Sequence, residues 1–495
     1  MKKVNLLLAA VVAASVSAPA LAEYTPNAHF YGFARAGVSS QHYNVDDPEK
    51  ARLGRLGYES DIYGEVGLGT TVAKVDDSEW NINSRVAYKS TLNKDWQTAD
   101  NANSTEHANF AFRELYFDVK GFFDSDKDAV IWAGKRYYHR EDIYINDWRY
   151  YDISGMGSGI ENLSLGSGKL SLAWIRRDEN RDYKWDETSK EVLADDPKDT
   201  SLKKNTYNGY GAVHFLDAQY DFPVWDKASM ELRATHMINQ HDNAKFLQYG
   251  YVAKNEVGNG TRFEVKLNQG FSSGWNTTAV IFDFGSHTGS AGFGTGSWCD
   301  NSGAANGAHG ISLFNYGDFK ITDRFGIMHS IYFARSGGYD DNVNGENFIG
   351  KVLDPEKNKG VTGVTANSGY KAFMFAIHPY YQLTKMTKLV LEGSFYTETW
   401  SKVGKKDGVV KNFDENQKGQ KLTLAYVLSP DASNIWSKPE IRLFATYLHS
   451  NENGIDFSNG FGAKEATIVY KNGYKREATK NHNNVIFGVY GEAWW

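Results

Sequence analysis

The last eleven residues, VIFGVYGEAWW (485–495), alternate with a period of two residues. The apolar or small positions on one parity are Val485, Phe487, Val489, Gly491, Ala493 and Trp495. The other parity carries Glu492 and Trp494. Because successive side chains of a β-strand point to opposite faces, the pattern predicts a terminal strand with one apolar and one polar face.

The same alternation recurs along the chain. It is cleanest in Phe30–Val38, Leu56–Leu68 and Trp80–Tyr88, and weaker in Leu389–Tyr396, Lys421–Leu428 and Ile441–Tyr447. One face of these predicted strands is apolar, while the other carries charges of both signs together with aromatic rings. A water-soluble β-sandwich would show the same period, so alternation alone does not decide the fold class.

The lengths of the connections favour a membrane barrel. Polar, Gly/Asn/Asp-rich connectors are predicted at about 176–210, 286–310, 336–369, 400–418 and 450–482. A tight Gly166-Ser167-Gly168 turn instead joins Leu163–Leu165 to Leu170–Trp174. Long loops on one rim and short turns on the other are typical of outer-membrane barrels, and in lipid only a closed barrel satisfies strand backbones. We therefore predict an all-β, transmembrane antiparallel barrel, and a final strand ending in an aromatic residue resembles the insertion signal of such proteins.

Composition agrees with this fold and excludes several function classes. Aromatic residues make up 14% of the chain, with 48 Gly and 9 Pro, and the mean hydropathy is −0.53. A single cysteine, Cys299, excludes an intrachain disulfide framework and a multi-cysteine metal site. The net charge of −6 without a basic patch argues against a nucleic-acid partner.

The N-terminus resembles a secretory signal. Lys2 and Lys3 precede the apolar run Leu6–Val16, and Ala20-Leu21-Ala22 forms a small-x-small cleavage site. We predict a signal peptide at 1–22 and one barrel domain at 23–495. A transmembrane anchor is the alternative, but the apolar run is far shorter than the roughly 20 residues that span a bilayer.

The stretch 131–162, IWAGKRYYHREDIYINDWRYYDISGMGSGIEN, mixes charges and aromatic rings without a helical stripe. It begins as a short predicted strand, Ile131–Ala133, and ends through Gly155, Gly157 and Gly159. Unpaired buried charge is costly, so these side chains cannot all be buried. A wet, narrow surface for sugars accommodates both kinds of residue, since rings stack on pyranose faces and charged groups pair with hydroxyls. An exposed loop of a large β protein remains the alternative.

These residues resemble the maltoporin family of sugar-specific outer-membrane porins. The matching segments are FYGFARAG (30–37), RLGYESDIYGEVGLG (55–69), AFRE (111–114), the 131–162 block, SKPEIRLFATY (437–447) and GEAWW (491–495). The resemblance implies an outer-membrane barrel of about eighteen strands, a homotrimer and an inward-folded loop that constricts the pore. It also implies an aromatic slide for sugars and a track of charged residues beside it.

The positions that match the slide are Phe33, Tyr63, Trp96 and Trp494. Alternation independently puts Phe33, Tyr63 and Trp494 on the polar face, and the resemblance implies that Trp96 reaches into a neighbouring subunit's pore. A girdle residue at the bilayer rim is the alternative for any one aromatic residue.

The positions that match the charged track are Arg35, Arg55, Glu65, Arg113, Arg140, Asp142 and Asp147. Arg113 has the parity of Leu115, Phe117 and Val119, so we expect it at the strand's mouth or beside a β-bulge. A solvated rim position is the alternative for any single charge.

Three positions depart from the family pattern. Arg149 stands where the family has a constricting tyrosine, while Gly260 and Leu383 stand where slide aromatics are expected. Arg149 either biases the pore towards differently shaped or anionic glycosides, or it pairs with Asp142 or Asp147 and narrows the lumen.

The expected function is facilitated diffusion of maltodextrins or related oligosaccharides, by weak sites in series that let a ligand enter and leave. The alternatives are a porin for β-linked or anionic glycosides and a general, non-selective porin. Expected partners are the oligosaccharide, a bilayer with lipopolysaccharide and two further copies of the chain, with a periplasmic sugar-binding protein as a further candidate.

We expect neither an enzyme nor a cofactor or metal site. The GxSxG match at 270–274 lies between two predicted strands, whereas a nucleophile elbow is followed by a helix. Asp142 and Asp147 could imitate a glycosidase pair, but neighbouring arginines would hold both ionised.

Overall fold

The computed structural model describes residues 28–40, 51–58, 61–90, 108–185, 205–240, 246–248, 251–253, 259–288, 308–338, 365–406, 409–452 and 482–495. Within them the regular structure is almost entirely β-strand. The strands are β1 (Ala28–Ser39), β2 (Ile62–Val75), β3 (Ser78–Ser90), β4 (Ala108–Lys120), β5 (Val130–Arg136), β6 (Glu141–Ile143), β7 (Trp148–Tyr151), β8 (Gly155–Leu165), β9 (Gly168–Trp185), β10 (Asn205–Trp225), β11 (Ala228–Gln240), β12 (Phe246–Gln248), β13 (Tyr251–Ala253), β14 (Gly260–Phe271), β15 (Gly274–Gly285), β16 (His309–Lys320), β17 (Phe325–Gly337), β18 (Thr365–Gln382), β19 (Thr387–Lys406), β20 (Val409–Leu428), β21 (Glu440–Glu452) and β22 (His482–Trp494). Among the described residues, no helix is long and apolar enough to span a membrane.

Eighteen of these strands form one closed antiparallel barrel. Each barrel strand pairs with the barrel strands before and after it in the chain, and β22 pairs back with β1, where Phe33 lies opposite Trp494. The hairpins β6–β7 and β12–β13 lie outside this sheet. A closed barrel has no unpaired edge, so its strand backbones need no water in the membrane. The predicted all-β barrel of about eighteen strands is confirmed.

The two faces of the barrel differ as the alternation predicts. On β20, Leu422 and Leu424 are 51% and 52% exposed on the outside, whereas Lys421 and Thr423, which alternate with them, are buried inside. Phe30 and Val38 on β1 likewise point outward, while Arg35 points inward. The apolar outer face suits lipid, and the charged inner face lines the lumen.

The connections at the two rims differ in length. Short turns join β2 to β3, β8 to β9 and β14 to β15 at one rim, and the predicted Gly166-Ser167 turn is among them. The GxSxG match is such a turn, since β14 ends at Phe271 and β15 begins at Gly274. The long connections lie at the other rim. The predicted connector at 400–418 is wrong, because β19 and β20 continue through this region to Lys406 and from Val409.

The strand predicted over Leu56–Leu68 begins only at Ile62. Residues 51–58 instead form a helical turn followed by a bend, and Leu53, Leu56 and Tyr58 are buried. Lys421 donates hydrogen bonds of 2.7 Å to the carbonyls of both Gly54 and Leu56. Because Lys421 points into the lumen, this segment lies inside the barrel. Its two-residue alternation is therefore not a strand pattern.

Candidate functional site

The connection between β5 and β8, residues 137–154, crosses the barrel interior. It contains the hairpin β6–β7 with a 3₁₀ turn, Tyr144–Asn146, at its tip. Asn146 is fully buried, accepts a hydrogen bond from Ser330 and donates to the sulfur of Met374 at 3.0 Å. Ser330 and Met374 lie on β17 and β18, half the circumference away from β5 and β8. The loop therefore narrows the lumen across its whole width.

The 51–58 segment supports the tip of this loop. The Arg55 backbone N–H donates to the carbonyl of Ile145 at 2.9 Å, and the Asn146 amide donates to the carbonyl of Ala51 at 2.9 Å. Ser394 on β19 holds the segment against the wall through the carbonyl of Leu53 at 2.6 Å. The constriction is thus built from two chain segments that brace each other.

Most aromatic rings of the loop anchor it and do not face the lumen. Tyr138, Trp148, Tyr150 and Tyr151 are each at most 3% exposed. Trp148 and Tyr150 pack on Phe314 of β16 with ring centroids 5.2 and 4.3 Å apart. The expectation of a wet sugar surface along this stretch is therefore wrong for these four residues, whereas Tyr137 and Tyr144 are partly exposed.

Ion pairs fasten β6, the strand of the loop that precedes its tip, to β11 and β14 of the barrel wall. Glu141 of β6 lies 2.7 Å from the Lys266 ammonium and 3.4 Å from the Arg233 guanidinium. Burial raises the pKa of the Glu141 carboxyl, but Lys266 and Arg233 outweigh that effect and hold it below its usual value. The Arg233 guanidinium also lies 4.4 Å from the ring centre of Tyr151. Breaking such a buried pair leaves a charge uncompensated, so β6 is held firmly.

The predicted slide residues Phe33, Tyr63 and Trp494 come together on the inner face of β1, β2 and β22. The rings of Phe33 and Tyr63 are 6.1 Å apart, and Phe33 is the register partner of Trp494. All three side chains are partly exposed to the lumen. Trp96 lies outside the described residues.

The aromatic path continues through residues that alternation did not find. Tyr144 at the loop tip lies 6.1 Å from the ring of Trp494 and 4.9 Å from that of Trp436. Trp436 in turn lies 6.3 Å from Trp275, beside the short-turn rim. The rings thus run from Tyr63, near the long-connection rim, to Trp275 at the other. The sequence did contain a signal that could have identified Trp436, because this residue directly precedes the SKPEIRLFATY match.

The two positions expected to lack slide aromatics lie elsewhere. Leu383 is in the turn between β18 and β19 and is 42% exposed, and Gly260 is the buried first residue of β14. Neither contributes a ring to the path through Trp436 and Trp275.

Charged residues of the predicted track lie beside the rings. Arg35 bridges two carboxylates, with its guanidinium 2.7 Å from Asp147 at the loop tip and 2.9 Å from Asp61. Glu65 accepts hydrogen bonds from Tyr63, from Tyr137 at 2.9 Å and from Arg85 at 2.9 Å. Sugar hydroxyls can donate to such carboxylates and accept from such guanidinium groups.

Arg113 lies at a β-bulge, as its parity required. Between β3 and β4 the register runs from Arg85 opposite Glu114 to Val86 opposite Phe112, which leaves Arg113 unpaired. The bulge turns Arg113 inward, where it donates to the Tyr137 hydroxyl at 2.6 Å. Arg140 covers the same ring, 4.2 Å from its centre. Both track residues therefore reach the lumen at Tyr137.

Arg55 and Glu492 form an ion pair in contact with Tyr144. The Arg55 guanidinium donates to Glu492 and lies 4.6 Å from the Tyr144 ring centre. The Tyr144 hydroxyl donates to Glu492 at 2.9 Å, and Arg442 donates to the same carboxylate at 2.8 Å. Glu492 and Arg442 were not predicted as site residues, although Glu492 has the lumen parity of Trp494.

Arg149, expected at the constriction, lies on β7 opposite Asp142 of β6. Its guanidinium interacts electrostatically with both Asp142 and the slide residue Tyr63. The Asp142 side chain is exposed to the lumen. Charge at this point of the loop thus faces the path that the rings follow.

Lys438, in the connection before β21, caps the slide at Trp494. Its ammonium lies 4.1 Å from the Trp494 ring centre and 3.3 Å from Glu440. Burial lowers the pKa of Lys438 to about 8, although Glu440 partly opposes the shift. This contact fixes one face of Trp494 and leaves the ring oriented for stacking.

The charged and aromatic side chains of the lumen are suited to binding a polar ligand. No three His, Cys, Asp or Glu side chains gather as metal ligands in the part of the chain that the structure describes. A closed antiparallel barrel with an apolar outer face, a charged lumen and a narrowing loop defines a channel protein of the outer membrane.

Comparisons with known proteins agree. A family model described as LamB porin matches residues 28–495. Maltoporin 1 of Klebsiella pneumoniae subsp. pneumoniae is 31% identical, with 99% of this chain and 97% of that protein covered. Maltoporin 2 of Yersinia pestis is 28% identical, with 99% and 98% covered. Among solved structures, OccK1 (OpdK) of Pseudomonas aeruginosa is 9% identical, has a TM-score of 0.42, and is covered over 99% of its length by 95% of this chain.

The chain belongs to the LamB porin family. It is therefore an outer-membrane channel of a Gram-negative bacterium and not an enzyme.

Proposed function

We propose that this channel is selective for sugars and lets maltodextrins or related oligosaccharides diffuse through it. The proposal rests on one observation above all, the series of rings Tyr63, Phe33, Trp494, Tyr144, Trp436 and Trp275 along the lumen, in which Phe33 and Trp494 are register partners and the other neighbours lie within 6.3 Å. Pyranose rings have apolar faces that stack on aromatic rings with little regard to which sugar is present.

The charged track supplies the second half of the mechanism. Glu65 and Glu492 offer acceptors and Arg35, Arg113 and Arg140 offer donors beside the rings. A sugar that advances by one residue exchanges its hydroxyl hydrogen bonds with neighbouring groups of the same kind. Because the sites are similar and individually weak, transport is downhill and needs no energy input.

Three features of the assembly belong to the same proposal. The mature chain starts at Glu23 after removal of residues 1–22, it forms a homotrimer, and Trp96 of one subunit reaches the pore of a neighbour. A periplasmic sugar-binding protein receives the sugar. The maltoporin relatives, which this chain matches over nearly its full length, motivate these assignments.

Single-channel conductance in a planar bilayer tests the proposal. Purified protein is titrated with maltotriose, sucrose, cellobiose and a sugar phosphate, and block of the ion current is recorded. We expect reversible block, with maltotriose effective at the lowest concentration. Absence of block by every sugar would leave a general, non-selective pore.

Arg149 supports a second candidate, a channel for β-linked or anionic glycosides. At position 149, where the resemblance implies a tyrosine, this chain has an arginine whose guanidinium interacts with Tyr63. A guanidinium binds planar anionic groups better than a phenol does. On this alternative, cellobiose or the sugar phosphate blocks at a lower concentration than maltotriose.

The variant Arg149→Tyr separates the two candidates. Removing the guanidinium should weaken block by the sugar phosphate about tenfold, the effect of one charge-assisted contact of roughly 1.4 kcal/mol. Block by maltotriose should be unchanged or tighter. Arg324→Tyr, at an exposed turn away from the lumen, serves as the matched control and should change neither. Equal block of wild type and Arg149→Tyr by every sugar would remove Arg149 from the selectivity of the pore.

A further inference from the structure

We propose that the outer surface of β17 and β18 binds the phosphate group of an outer-leaflet glycolipid, lipopolysaccharide, through Arg335 and Lys371. This binding site is separate from the lumen and does not depend on the sugar that the channel carries.

Arg335 and Lys371 are an outward-facing pair of like charges. They are register partners on adjacent strands, and both side chains are exposed. Their neighbours Ala334, Tyr370 and Ala372 are buried, so Arg335 and Lys371 point away from the lumen. Like charges directly opposite each other destabilise a sheet unless an anion lies between them.

Among the described residues, neither cation has a carboxylate partner. Within the part of the chain that the structure describes, no carboxylate makes an ion pair with Arg335 or Lys371. Side chains on directly opposite strand positions start about 5 Å apart, so both cations can reach one phosphate. A phosphate held by a guanidinium and an ammonium gains charge-assisted hydrogen bonds and removes the repulsion between them.

The pair lies at the depth of lipid headgroups. One step towards the membrane centre, Phe333 and Phe373 are register partners and are 42% and 40% exposed, as in an aromatic girdle. Arg335 and Lys371 lie on the side of this girdle towards the long connections, which in outer-membrane barrels are extracellular. The outer leaflet at that rim is where phosphorylated glycolipids reside.

On the rim side of the pair, the described part of β17 and β18 carries two glycines. Gly337 and Gly369 are the next register partners towards the rim, and a Cβ added to Gly337 would have no atom within 4 Å. In the row of Lys371, Thr399 and Asn416 follow on β19 and β20 and are joined by a 2.7 Å hydrogen bond. Two exposed aromatic rings, two cations and the neighbouring polar side chains together fit a phosphorylated sugar on acyl chains better than they fit lipid chains alone.

Binding of lipid A to delipidated, refolded protein tests the inference. Native mass spectrometry in detergent with EDTA, which removes bridging divalent cations, measures binding of diphosphoryl lipid A and of its dephosphorylated form. We expect wild type to prefer the diphosphoryl form, and Arg335→Gln/Lys371→Gln to bind it roughly 30-fold more weakly, as for the loss of two cations at a membrane surface. Arg335→Lys should retain most of the binding.

The matched control removes two exposed cations at the opposite rim, Lys74→Gln/Lys385→Gln, and should bind like wild type. Heat-dependent gel mobility verifies that each variant is folded. Equal affinity of wild type and Arg335→Gln/Lys371→Gln, or equal affinity for the two lipid A forms, would overturn the inference. Displacement of lipid A by millimolar inorganic phosphate would also overturn it, because the site would then recognise free phosphate and not a lipid. Sugar block of the current should be the same in all variants, so this result stands apart from that of the conductance test.

Discussion

Trp436 carries the aromatic path from the loop tip to the short-turn rim, although it lies on no strand. Its indole N–H donates to Asp318 at 3.0 Å, which fixes the ring between Tyr144 and Trp275. The path would otherwise end at Tyr144. A sugar leaving Tyr144 would then have no ring to stack on before Trp275 at the rim.

The variant Trp436→Ala should therefore weaken sugar binding without closing the pore. We expect the maltotriose concentration for half block to rise about tenfold, the effect of one lost stacking contact of roughly 1.4 kcal/mol. Trp225→Ala, which removes a ring that is 52% exposed at the rim, is the matched control. An unchanged half-block concentration in Trp436→Ala would show that sugars do not stack on this ring.

Sequence reasoning at the residue scale succeeded where strand parity applied. It put Phe33, Tyr63 and Trp494 on the lumen face, and it identified Arg113 as an exception that lies either at the strand's mouth or beside a bulge, of which the bulge is observed. It missed Trp436 because a residue in a connection has no parity. It also assigned the loop aromatics to a wet surface, because composition does not reveal which rings are anchors.

The amide of Asn146 ties the tip of the constriction loop to two other parts of the molecule. Asn146 bonds to Ser330 on the far wall and to Ala51 of the supporting segment, and it is fully buried. Next to it, Asp147 adopts the left-handed conformation with φ of 49°, which Asp tolerates better than most residues. This turn directs the Asp147 carboxylate at Arg35.

Loss of the Asn146 amide should loosen the loop. In Asn146→Ala, buried partners lose their hydrogen bonds at a cost of about 1–3 kcal/mol, so we expect higher single-channel conductance and more current noise. Asn268→Ala, which removes an amide bonded to Thr277 near the short-turn rim, is the comparison. If the conductance of Asn146→Ala equals that of wild type, the tip is held by other contacts.

For two elements, the sequence pattern predicted the wrong structure. The alternation predicted from Leu56 onward fails over 56–58, because this segment is folded into the lumen, where both sides of the chain are covered by protein. The polar composition of 400–418 is that of strands that extend into water beyond the membrane, so β19 and β20 continue where lipid-facing alternation stops.

At the scale of the whole molecule, the barrel closes at a crowded seam. Trp495 forms two backbone hydrogen bonds with Gly32, of 3.0 and 3.2 Å, and its ring occupies the space that a Cβ on Gly32 would need. The terminal aromatic ring therefore needs glycine at position 32 to lie flat over the junction of β1 and β22.

The variant Gly32→Val should impair closure of the barrel. Overpacking of this kind costs about 1–3 kcal/mol, so we expect a smaller folded fraction after refolding and a lower temperature of unfolding in heat-dependent gel mobility. At Gly64 on the neighbouring strand, an added Cβ would meet its nearest atom at an ordinary 3.6 Å, so Gly64→Val is the control. Equal folding of the two variants would contradict a role for the seam.

The overall architecture was accessible from the sequence because a closed barrel imposes the same physical demand on every strand. Because lipid lies outside the barrel and water inside, the side chains of each strand alternate between apolar and polar with a period of two residues. The terminal strand also ends in an aromatic residue. Contacts inside the lumen follow no such period. The bracing of 137–154 by 51–58 joins residues far apart in the chain and could be found only in the fold.

The loop that spans the lumen has a mechanical consequence. A ring of eighteen strands yields most easily by flattening into an oval, since each strand needs only to tilt slightly against its neighbours. The loop is attached at its two ends to β5 and β8 and at its tip, through Asn146, to β17 and β18 about half the circumference away, so it resists any change in the diameter that it spans. The channel can therefore keep a constant bore while the lateral pressure of the membrane varies.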